Sequence, residues 1–412
     1  MNPTGRPLAL AVLADLPHPP RSGNHLRDLQ TLALLDLIGY DVAVVAADRD
    51  WAGERSIGPH GRLHKRVAVP AETTTASARA RRIARLLRAA LGTRPVSPWA
   101  LAYDDAGFCN HVALAVAELT PDALVLRSTF AHLGPELRSR VRFLVFDVHD
   151  AETLLARSLL SLHDPLRTPV AALRVAAGWW VDRLIATADE AWVPSPRELE
   201  HLRPLARTTR ILVVPSSVRM PERLPERPDR RRKDLLLVGG FGYPPNAAAA
   251  RRLVEEILPR VRDQHPDVRV VLVGRDLSPV LFEHWRDLPV CWLGVVDDLA
   301  SVFQDAAAFV LPYDPTTQTG TPLKVADAIA HGVPVVATPN ATAPLGLIAE
   351  EHVLTGESPA ELADAVCRVL DDDEDARKRS RRAHAWARAH LDSCESARRL
   401  KHESVLARAL VA

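Results

Sequence analysis

The sequence predicts an α/β protein in which two doubly wound, Rossmann-like parallel-sheet domains face a central cleft. Apolar stretches of strand length alternate with helical patterns along most of the chain, as doubly wound sheets require. The chain has 412 residues, enough for two such domains with separate cores. One segment, 219–233, combines three prolines with dense charge and shows no apolar period, which is typical of a linker. We therefore place a first domain at 1–218 and a second at 234–390.

The composition indicates which partners the protein is expected to have and where it is expected to be located. The 52 basic and 51 acidic residues give a net charge of +1, which argues against nucleic acid as the principal partner. The four cysteines stand far apart without a Cys-x-x-Cys pair, so neither a zinc site nor a disulfide framework is expected and a cytoplasmic location is indicated. No signal-peptide pattern opens the chain, and the longest apolar stretch, 169–181, is too short to span a bilayer.

The first domain opens with a βαβ pattern. A strand at 8–13, a helix at 25–38 and a strand at 42–46 are predicted, with Ser22, Gly23 and Asn24 in the first connecting loop. Further strands are predicted at 123–126, 141–147, 188–193 and 211–214.

A basic amphipathic helix is predicted at 79–91. Arginines at 79, 81, 82, 85 and 88 lie on one side, and Ile83, Leu86, Leu87 and Ala90 lie on the other. The simpler interpretation is a solvated arginine face in an arginine-rich chain. Peripheral contact with an anionic membrane is the alternative hypothesis.

Polar residues follow the strand at 141–147, at the edge where open α/β sheets bind ligands. His149 is the main candidate site residue of this domain, and the alternative is a histidine that caps the next helix. Asp150 is a second candidate, although it has equally the character of an N-cap for a helix at 151–161.

The second domain opens with a strand at 235–238, a glycine loop that includes Gly240 and Phe241, and an alanine-rich helix that ends near Arg260. This strand–loop–helix order is compatible with phosphate binding. A strand at 271–273 follows and leads to Arg275, and helices are predicted at 360–370 and 376–390.

The central element of this domain is a strand–loop–helix–strand unit at 308–338. The loop contains Gly320, Thr321 and Pro322 have the form of an N-cap and first helical residue, and Gly332 is a natural C′ residue. Strands are expected at 308–311 and 333–338.

The chemistry of this unit favours an anion. Gly320 permits close approach of the backbone, the helix start offers N–H groups, and Lys324 adds a full positive charge, so a diphosphate fits. Asp327 lies one turn further along the same helix face and can accept hydrogen bonds from both hydroxyls of a ribose. The alternative is a capped surface helix with a Lys–Asp pair. A specific role is favoured because the chain has only five lysines against 47 arginines.

The unit resembles the donor-binding segment of the retaining, GT-B-fold glycosyltransferases of the family-four group (glycosyl transferases group 1). Those proteins carry a glycine-rich loop, a lysine, an acidic residue three positions later, and a small-residue helix that ends in Gly-x-Pro-Val-Val. The resemblance implies that Lys324 contacts the donor diphosphate and that Asp327 holds the ribose. Two positions depart from the pattern: Asp327 stands where Glu is usual, and Thr319 replaces a sugar-contacting Glu.

The resemblance also implies a wider set of site residues. His149, Arg275 and Lys324 are the implied catalytic residues, with Arg275 supplying charge that other members place in the first glycine loop. The implied donor-binding residues are Gly240, Phe241, Val295, Thr319, Gly320, Thr321, Pro322, Leu323 and Asp327. The implied acceptor-side residues are Ser22, Gly23, Asn24 and Asp150. A terminal helix at 391–412 is expected to return to the first domain.

The expected function is transfer of a sugar from a nucleoside-diphosphate donor to an unidentified acceptor nucleophile, with retention of anomeric configuration. Natural product, polysaccharide and lipid are all open as acceptors. No cofactor and no metal are implied, and the Asp-x-Asp at 48–50 is expected in a loop. Two alternatives stay open: a nucleotide-sugar epimerase or phosphorylase on the same fold, and a non-catalytic GT-B partner protein.

Overall fold

The computed structural model describes residues 5–18, 23–48, 56–68, 76–93, 95–101, 103, 107–160, 168–218, 220–225, 233–296, 298–315, 321–408 and 410. The chain forms two compact units. The first comprises Met1–Ser216 and Ser396–Ala412, and the second comprises Ser217–Glu395. The predicted linker at 219–233 therefore lies at the start of the second unit, and most of the predicted terminal helix lies in the first.

The first unit is built on a parallel sheet of seven strands in the order β3-β2-β1-β4-β5-β6-β7. The strands are β1 (Leu8–Leu13), β2 (Asp41–Asp48), β3 (Arg62–Ala68), β4 (Ala123–Arg127), β5 (Phe143–Asp147), β6 (Glu190–Val193) and β7 (Arg210–Val213). The strand order reverses between β1 and β4, which is the switch point where sheets of this kind bind ligands.

Helices cover both faces of this sheet. Its α-helices are Gly23–Ile38, Ala76–Ala90, Phe108–Leu119, Gly134–Leu137, Glu152–Leu160, Thr168–Asp182, Pro196–Leu202, Ser393–Glu403 and Val405–Arg408. Short 3₁₀ helices lie at Ser128–Leu133, Arg138–Arg140, Arg183–Thr187 and Arg203–Leu205. All six residues of β1 are buried: Leu8, Leu10 and Val12 face one core and Ala9, Ala11 and Leu13 face the other, as expected of a central parallel strand.

The C-terminal segment packs into the first unit. Leu400 and Leu406 belong to the core on one face of its sheet. The buried carboxylate of Glu190 accepts hydrogen bonds from Ser404 Oγ at 2.6 Å and from the Val405 amide at 2.8 Å. The terminal helices are therefore attached by both apolar packing and a buried hydrogen-bond acceptor.

The second unit is built on a parallel sheet of six strands in the order β10-β9-β8-β11-β12-β13. The strands are β8 (Asp234–Val238), β9 (Arg269–Val273), β10 (Val290–Trp292), β11 (Ala306–Leu311), β12 (Val335–Ala337) and β13 (Leu354–Thr355). Its α-helices are Pro244–Arg251, Leu258–Arg262, Pro279–His284, Leu299–Asp305, Leu323–Ala330, Pro339–Thr342, Pro359–Asp371 and Asp373–His390. A π-helical turn, Arg252–Ile257, joins the first two, and a 3₁₀ helix lies at Ala343–Leu345.

The predicted strand–loop–helix–strand unit is present, with one correction at the helix start. Thr321 was expected to be the N-cap, but the helix begins at Leu323 and Pro322 occupies the N-cap without a side-chain hydrogen bond. The Leu323 amide is already bonded to the Thr321 carbonyl, which displaces the start by one residue. Gly332 has a φ of 72°, as a C′ glycine does.

The basic helix buries only part of its predicted apolar side. Leu86 and Ala89 are buried in a small core with Ala177, because the helix packs against Thr168–Asp182. Ile83 and Leu87, predicted on the apolar side of the helix, are 47% and 42% exposed. Among the described residues, no helix is long and apolar enough to cross a bilayer.

Candidate functional site

The loops that follow β8, β9 and β10 are bonded to one another at the carboxyl edge of the second sheet. The Phe241 amide donates to the Arg275 carbonyl at 2.8 Å, and the Gly274 amide donates to the Gly294 carbonyl at 2.7 Å. A Cβ at Gly274 would lie 1.9 Å from the Gly239 carbonyl oxygen, and Gly274 has a φ of +135°. Only glycine fits there, so the three loops form one closely packed backbone surface.

Lys324 projects toward this surface from the first turn of helix Leu323–Ala330. Its Nζ donates a hydrogen bond to Asn246 Oδ1 at 2.7 Å and lies 5.6 Å from the centroid of the Tyr313 ring. Within the described part of the chain, no carboxylate forms an ion pair with it. Burial lowers the pKa of Lys324 to about 7. A desolvated cation without a protein counter-charge is suited to bind an anion.

Asp327 lies one turn along the same helix and is also unpaired. Its carboxylate makes no hydrogen bond or ion pair with the residues that the structure describes, Lys324 included. Burial raises the pKa of Asp327 to about 7. The side chain keeps partial exposure, so its oxygens are available to accept hydrogen bonds from a ligand.

Asn246 is a site residue that the sequence analysis missed. Its Oδ1 accepts from both Lys324 Nζ and the Tyr313 hydroxyl, the latter at 2.9 Å, while its Nδ2 donates to the Gly240 carbonyl at 2.9 Å. The available signal was a polar residue directly after Pro-Pro at the start of an alanine-rich helix. For Tyr313 the sequence offers a weaker indication of a site residue: it is one of only four tyrosines, and it is the second residue after β11.

The other predicted donor-binding residues lie at the same sheet edge. Gly240 faces the Arg275 side chain, whose Nε is 3.4 Å from Asp276 Oδ2, and Phe241 is buried. Thr321, Pro322 and Leu323 form the approach to the Lys324 helix. Val295, just after β10, is 68% exposed. Thr319 and Gly320 lie outside the described residues.

In the first unit, His149 is buried after β5 among polar groups of helix Gly23–Ile38. Its Nδ1 is 3.4 Å from Asn24 Oδ1, and its Nε2 is 3.3 Å from Asp28 Oδ1 and 3.4 Å from Asp147 Oδ2. Burial and the nearby Arg127 charge lower the pKa of His149, against the opposing effect of the two carboxylates. The imidazole is therefore neutral near pH 7. Gly23 is exposed beside Asn24, and Ser22 lies outside the described residues.

A buried ion pair supports this histidine. The Arg27 guanidinium, 2% exposed, donates to Asp147 Oδ1 through Nε at 3.0 Å and Nη2 at 2.7 Å. Burial alone raises the pKa of Asp147, but the Arg27 charge and the hydrogen bond from His149 hold it well below its usual range. The sequence analysis missed Arg27 and Asp28. The signal was two charged residues on the side of a helix that is otherwise apolar.

Residues 232–372 match the family described as Glycosyl transferases group 1. The matched segment covers about a third of the chain, lies in the second unit and contains Asn246, Lys324 and Asp327. Search of curated proteins gave no match.

Solved structures of similar fold cover nearly the whole chain. Sucrose-phosphate synthase from Thermosynechococcus elongatus is 18% identical with a TM-score of 0.68, over 98% of this chain and 99% of that one. HepE from Anabaena, solved with UDP-glucose, is 13% identical with a TM-score of 0.64, over 98% and 99%. A putative UDP-N-acetylglucosamine 2-epimerase from Listeria monocytogenes is 13% identical with a TM-score of 0.54, over 97% of both chains. At these identities the likeness shows the fold.

Asp150 does not cap a helix in the structure, contrary to the alternative considered from sequence. The amides of Glu152 and Thr153 donate instead to the carboxylate of Asp182, at 2.9 and 3.0 Å. Burial, together with the charge of Glu198, raises the pKa of Asp150 to about 7. The carboxyl group of Asp150, the residue that directly follows His149, is therefore not used as a helix cap.

Metal ligands were also sought. Among the described residues, no group of three or more His, Cys, Asp or Glu side chains is arranged to hold a metal ion. The Asp-x-Asp at 48–50 begins at the end of β2, and its last two residues lie outside the described chain.

Proposed function

We propose that the protein is a glycosyltransferase of this family, which moves a sugar from a nucleoside-diphosphate donor to an acceptor nucleophile with retention of anomeric configuration. The observation that carries this proposal is the pair Lys324 and Asp327, one turn apart, both desolvated and both without a charged partner in the described chain. The cation suits a diphosphate and the carboxylate suits a ribose diol.

In the proposed reaction, the bond between the anomeric carbon and the β-phosphate oxygen breaks while the acceptor oxygen bonds to the same face of that carbon. The acceptor proton passes to the departing phosphate oxygen. Negative charge develops on the diphosphate as the bond breaks, and the Lys324 ammonium stabilises it there. The resemblance assigns the positioning of the sugar to His149, whose neutral imidazole is suited to hydrogen bonding with a sugar hydroxyl.

We infer that UDP sugars are the first donors to test, because HepE, a protein of the same fold, was solved with UDP-glucose. The screen is thermal shift with UDP, GDP, dTDP and ADP and their common sugar conjugates. A selective rise in melting temperature in wild type, lost in Lys324→Ala, supports the donor site. An unchanged melting temperature in wild type with every nucleotide contradicts it.

Product analysis separates the proposed transfer from the epimerase and phosphorylase alternatives. With the donor identified, NMR of the anomeric proton reports whether the new glycosidic bond keeps the donor configuration. Conversion of the donor sugar without any acceptor supports an epimerase.

We also propose that no metal or cofactor is needed, since Lys324 supplies positive charge at the diphosphate. Full activity after EDTA treatment is the expected result.

Peripheral contact with an anionic membrane surface on the cytoplasmic side is proposed for the segment 79–91. Ile83, Leu87 and Leu91 recur every fourth residue and are 47%, 42% and 72% exposed, beside exposed Arg81 and Arg82. The protein is expected to sediment with vesicles of anionic phosphatidylglycerol, and less of it is expected to sediment with vesicles of zwitterionic phosphatidylcholine.

The matched variants for this test are Leu87→Asp and Leu114→Asp. Leu114 is 56% exposed on a different helix. Only Leu87→Asp is expected to reduce vesicle binding. Equal binding of both variants and wild type contradicts the proposed contact.

A further inference from the structure

We propose that Asn246 is a positioning residue that holds the Lys324 ammonium for the donor diphosphate. Tyr313 in turn holds the Asn246 side chain in place, and Arg252 holds Tyr313. This inference rests on the proposed donor site and adds the residues that place its cation. It follows from a chain of hydrogen bonds that joins four elements of the second unit.

The orientation of the Asn246 amide is fixed by its neighbours. The Gly240 carbonyl can only accept, so the group 2.9 Å from it is the amide nitrogen. Oδ1 then faces Lys324 Nζ and the Tyr313 hydroxyl, both of which donate. Burial raises the pKa of Tyr313, so the phenol keeps its proton and remains a donor. One amide thereby joins the first glycine loop to the Lys324 helix.

Tyr313 is held at its backbone as well as at its hydroxyl. Its carbonyl accepts from Arg252 Nη1 at 2.9 Å, and Arg252 Nη2 donates to the Glu357 carbonyl. Arg252 opens the π-helical turn Arg252–Ile257, and such turns are frequent where a helix serves a functional site. The start of the loop after β11 is therefore tied to the helix that carries Asn246.

The choice of an amide has a chemical reason. Asn246 accepts a hydrogen bond from Lys324 without cancelling its charge, and the Tyr313 ring adds a cation–π contact without a counter-ion. A carboxylate at this place would pair with the ammonium and repel the diphosphate. Among the described residues, the two side chains that contact Lys324 Nζ, Asn246 and Tyr313, are both neutral, which leaves its remaining N–H donors for the ligand.

The test is a pH titration of the lysine side chains by ¹³C-detected NMR in the nucleotide-free protein, combined with UDP titration. Only five lysines contribute signals, and Lys324→Met assigns the relevant one. In Asn246→Asp, we expect the pKa of Lys324 to rise by about one pH unit or more while UDP binds about ten-fold more weakly. In Asn246→Ala, we expect the pKa to fall and UDP again to bind more weakly, because the ammonium loses its acceptor.

The control is Asn340→Ala. Asn340 donates to the Asp314 carbonyl at 2.8 Å in the same loop but does not contact Lys324, so the Lys324 signal should titrate as in wild type. Asn246→Asp keeps the size of the side chain and carries the test if Asn246→Ala does not fold. An unchanged Lys324 titration in Asn246→Asp overturns the inference.

Failure of the donor site gives a different result. If UDP leaves the Lys324 signal of wild type unmoved, the proposed donor site is wrong, and the role of Asn246 toward a diphosphate falls with it. If UDP moves that signal in wild type but binds equally well to both Asn246 variants, the donor site stands and the positioning role is wrong.

Discussion

Replacing Lys324 with methionine should make the nucleotide-free protein more stable while removing nucleotide binding. Methionine has a similar length and no charge, so it fills the same space without the cost of a desolvated ammonium. Burial lowers the pKa of Lys324 from its ordinary value of 10.5 to about 7. At ~1.4 kcal/mol for each pH unit, this fall in pKa corresponds to roughly 4 to 5 kcal/mol against the charged form.

The net gain should be smaller than that figure. The lysine is partly exposed, and methionine loses the hydrogen bond to Asn246, which leaves Oδ1 with Tyr313 alone. We expect a gain of about 1 to 3 kcal/mol in the free energy of unfolding at pH 6. The unfolded chain keeps the Lys324 proton up to about its ordinary pKa, whereas the folded protein loses it near pH 7. Wild type therefore gains stability relative to the variant as pH rises through this window, and the gap closes toward pH 10.

The assay is urea unfolding of both proteins between pH 6 and pH 10, followed by tryptophan fluorescence, with Lys378→Met as the control. Lys378 is an exposed lysine of helix Asp373–His390, and its replacement should leave the pH profile unchanged. A Lys324→Met variant that is less stable than wild type at pH 6, or whose difference from wild type does not vary with pH, refutes the reasoning.

Three further variants test other parts of the structure. Asp327→Asn should also stabilise the nucleotide-free protein, because the pKa of Asp327 is raised from 3.8 to about 7; the gain should grow as pH rises between these two values and be complete above pH 7, so it should be larger at pH 8 than at pH 5 in urea unfolding. It should weaken UDP binding by calorimetry. Gly274→Ala places a Cβ against the Gly239 carbonyl at a positive φ, and a loss of more than about 2 kcal/mol is expected in thermal unfolding. Arg27→Met leaves the Asp147 carboxylate buried without its partner, and about 3 to 5 kcal/mol should be lost, whereas a loss below 1 kcal/mol contradicts the ion-pair account.

Sequence reasoning located the central strands because their burial leaves a clear apolar pattern. The six residues of β1 were predicted without error, since a parallel strand buried on both faces is continuously apolar. The edge strand β3 was missed: its sequence, Arg-Leu-His-Lys-Arg-Val-Ala, is mostly polar because one side of an edge strand faces water. The sequence could not show which apolar residues of the basic helix are covered, because only its neighbour, Thr168–Asp182, decides this.

In the second unit, the charged pair Lys324 and Asp327 was predicted from sequence, whereas Asn246 and Tyr313 were not. Lys324 and Asp327 are three residues apart, so their common helix face follows from local geometry alone. Asn246 lies 78 positions from Lys324, and only the tertiary fold brings the two side chains together. His149 was predicted as a site residue, but its burial against Asn24 and Asp28 depends on contacts more than 100 positions apart and was not foreseen.

The central claim is that Lys324 binds the diphosphate of a nucleotide donor. Calorimetric titration of wild type and Lys324→Met with UDP and with UMP tests it directly, because the two ligands differ only in the β-phosphate. The account predicts that wild type binds UDP much more tightly than UMP and that Lys324→Met binds both equally weakly. If Lys324→Met retains the wild-type preference for UDP, Lys324 is not the residue that holds the diphosphate.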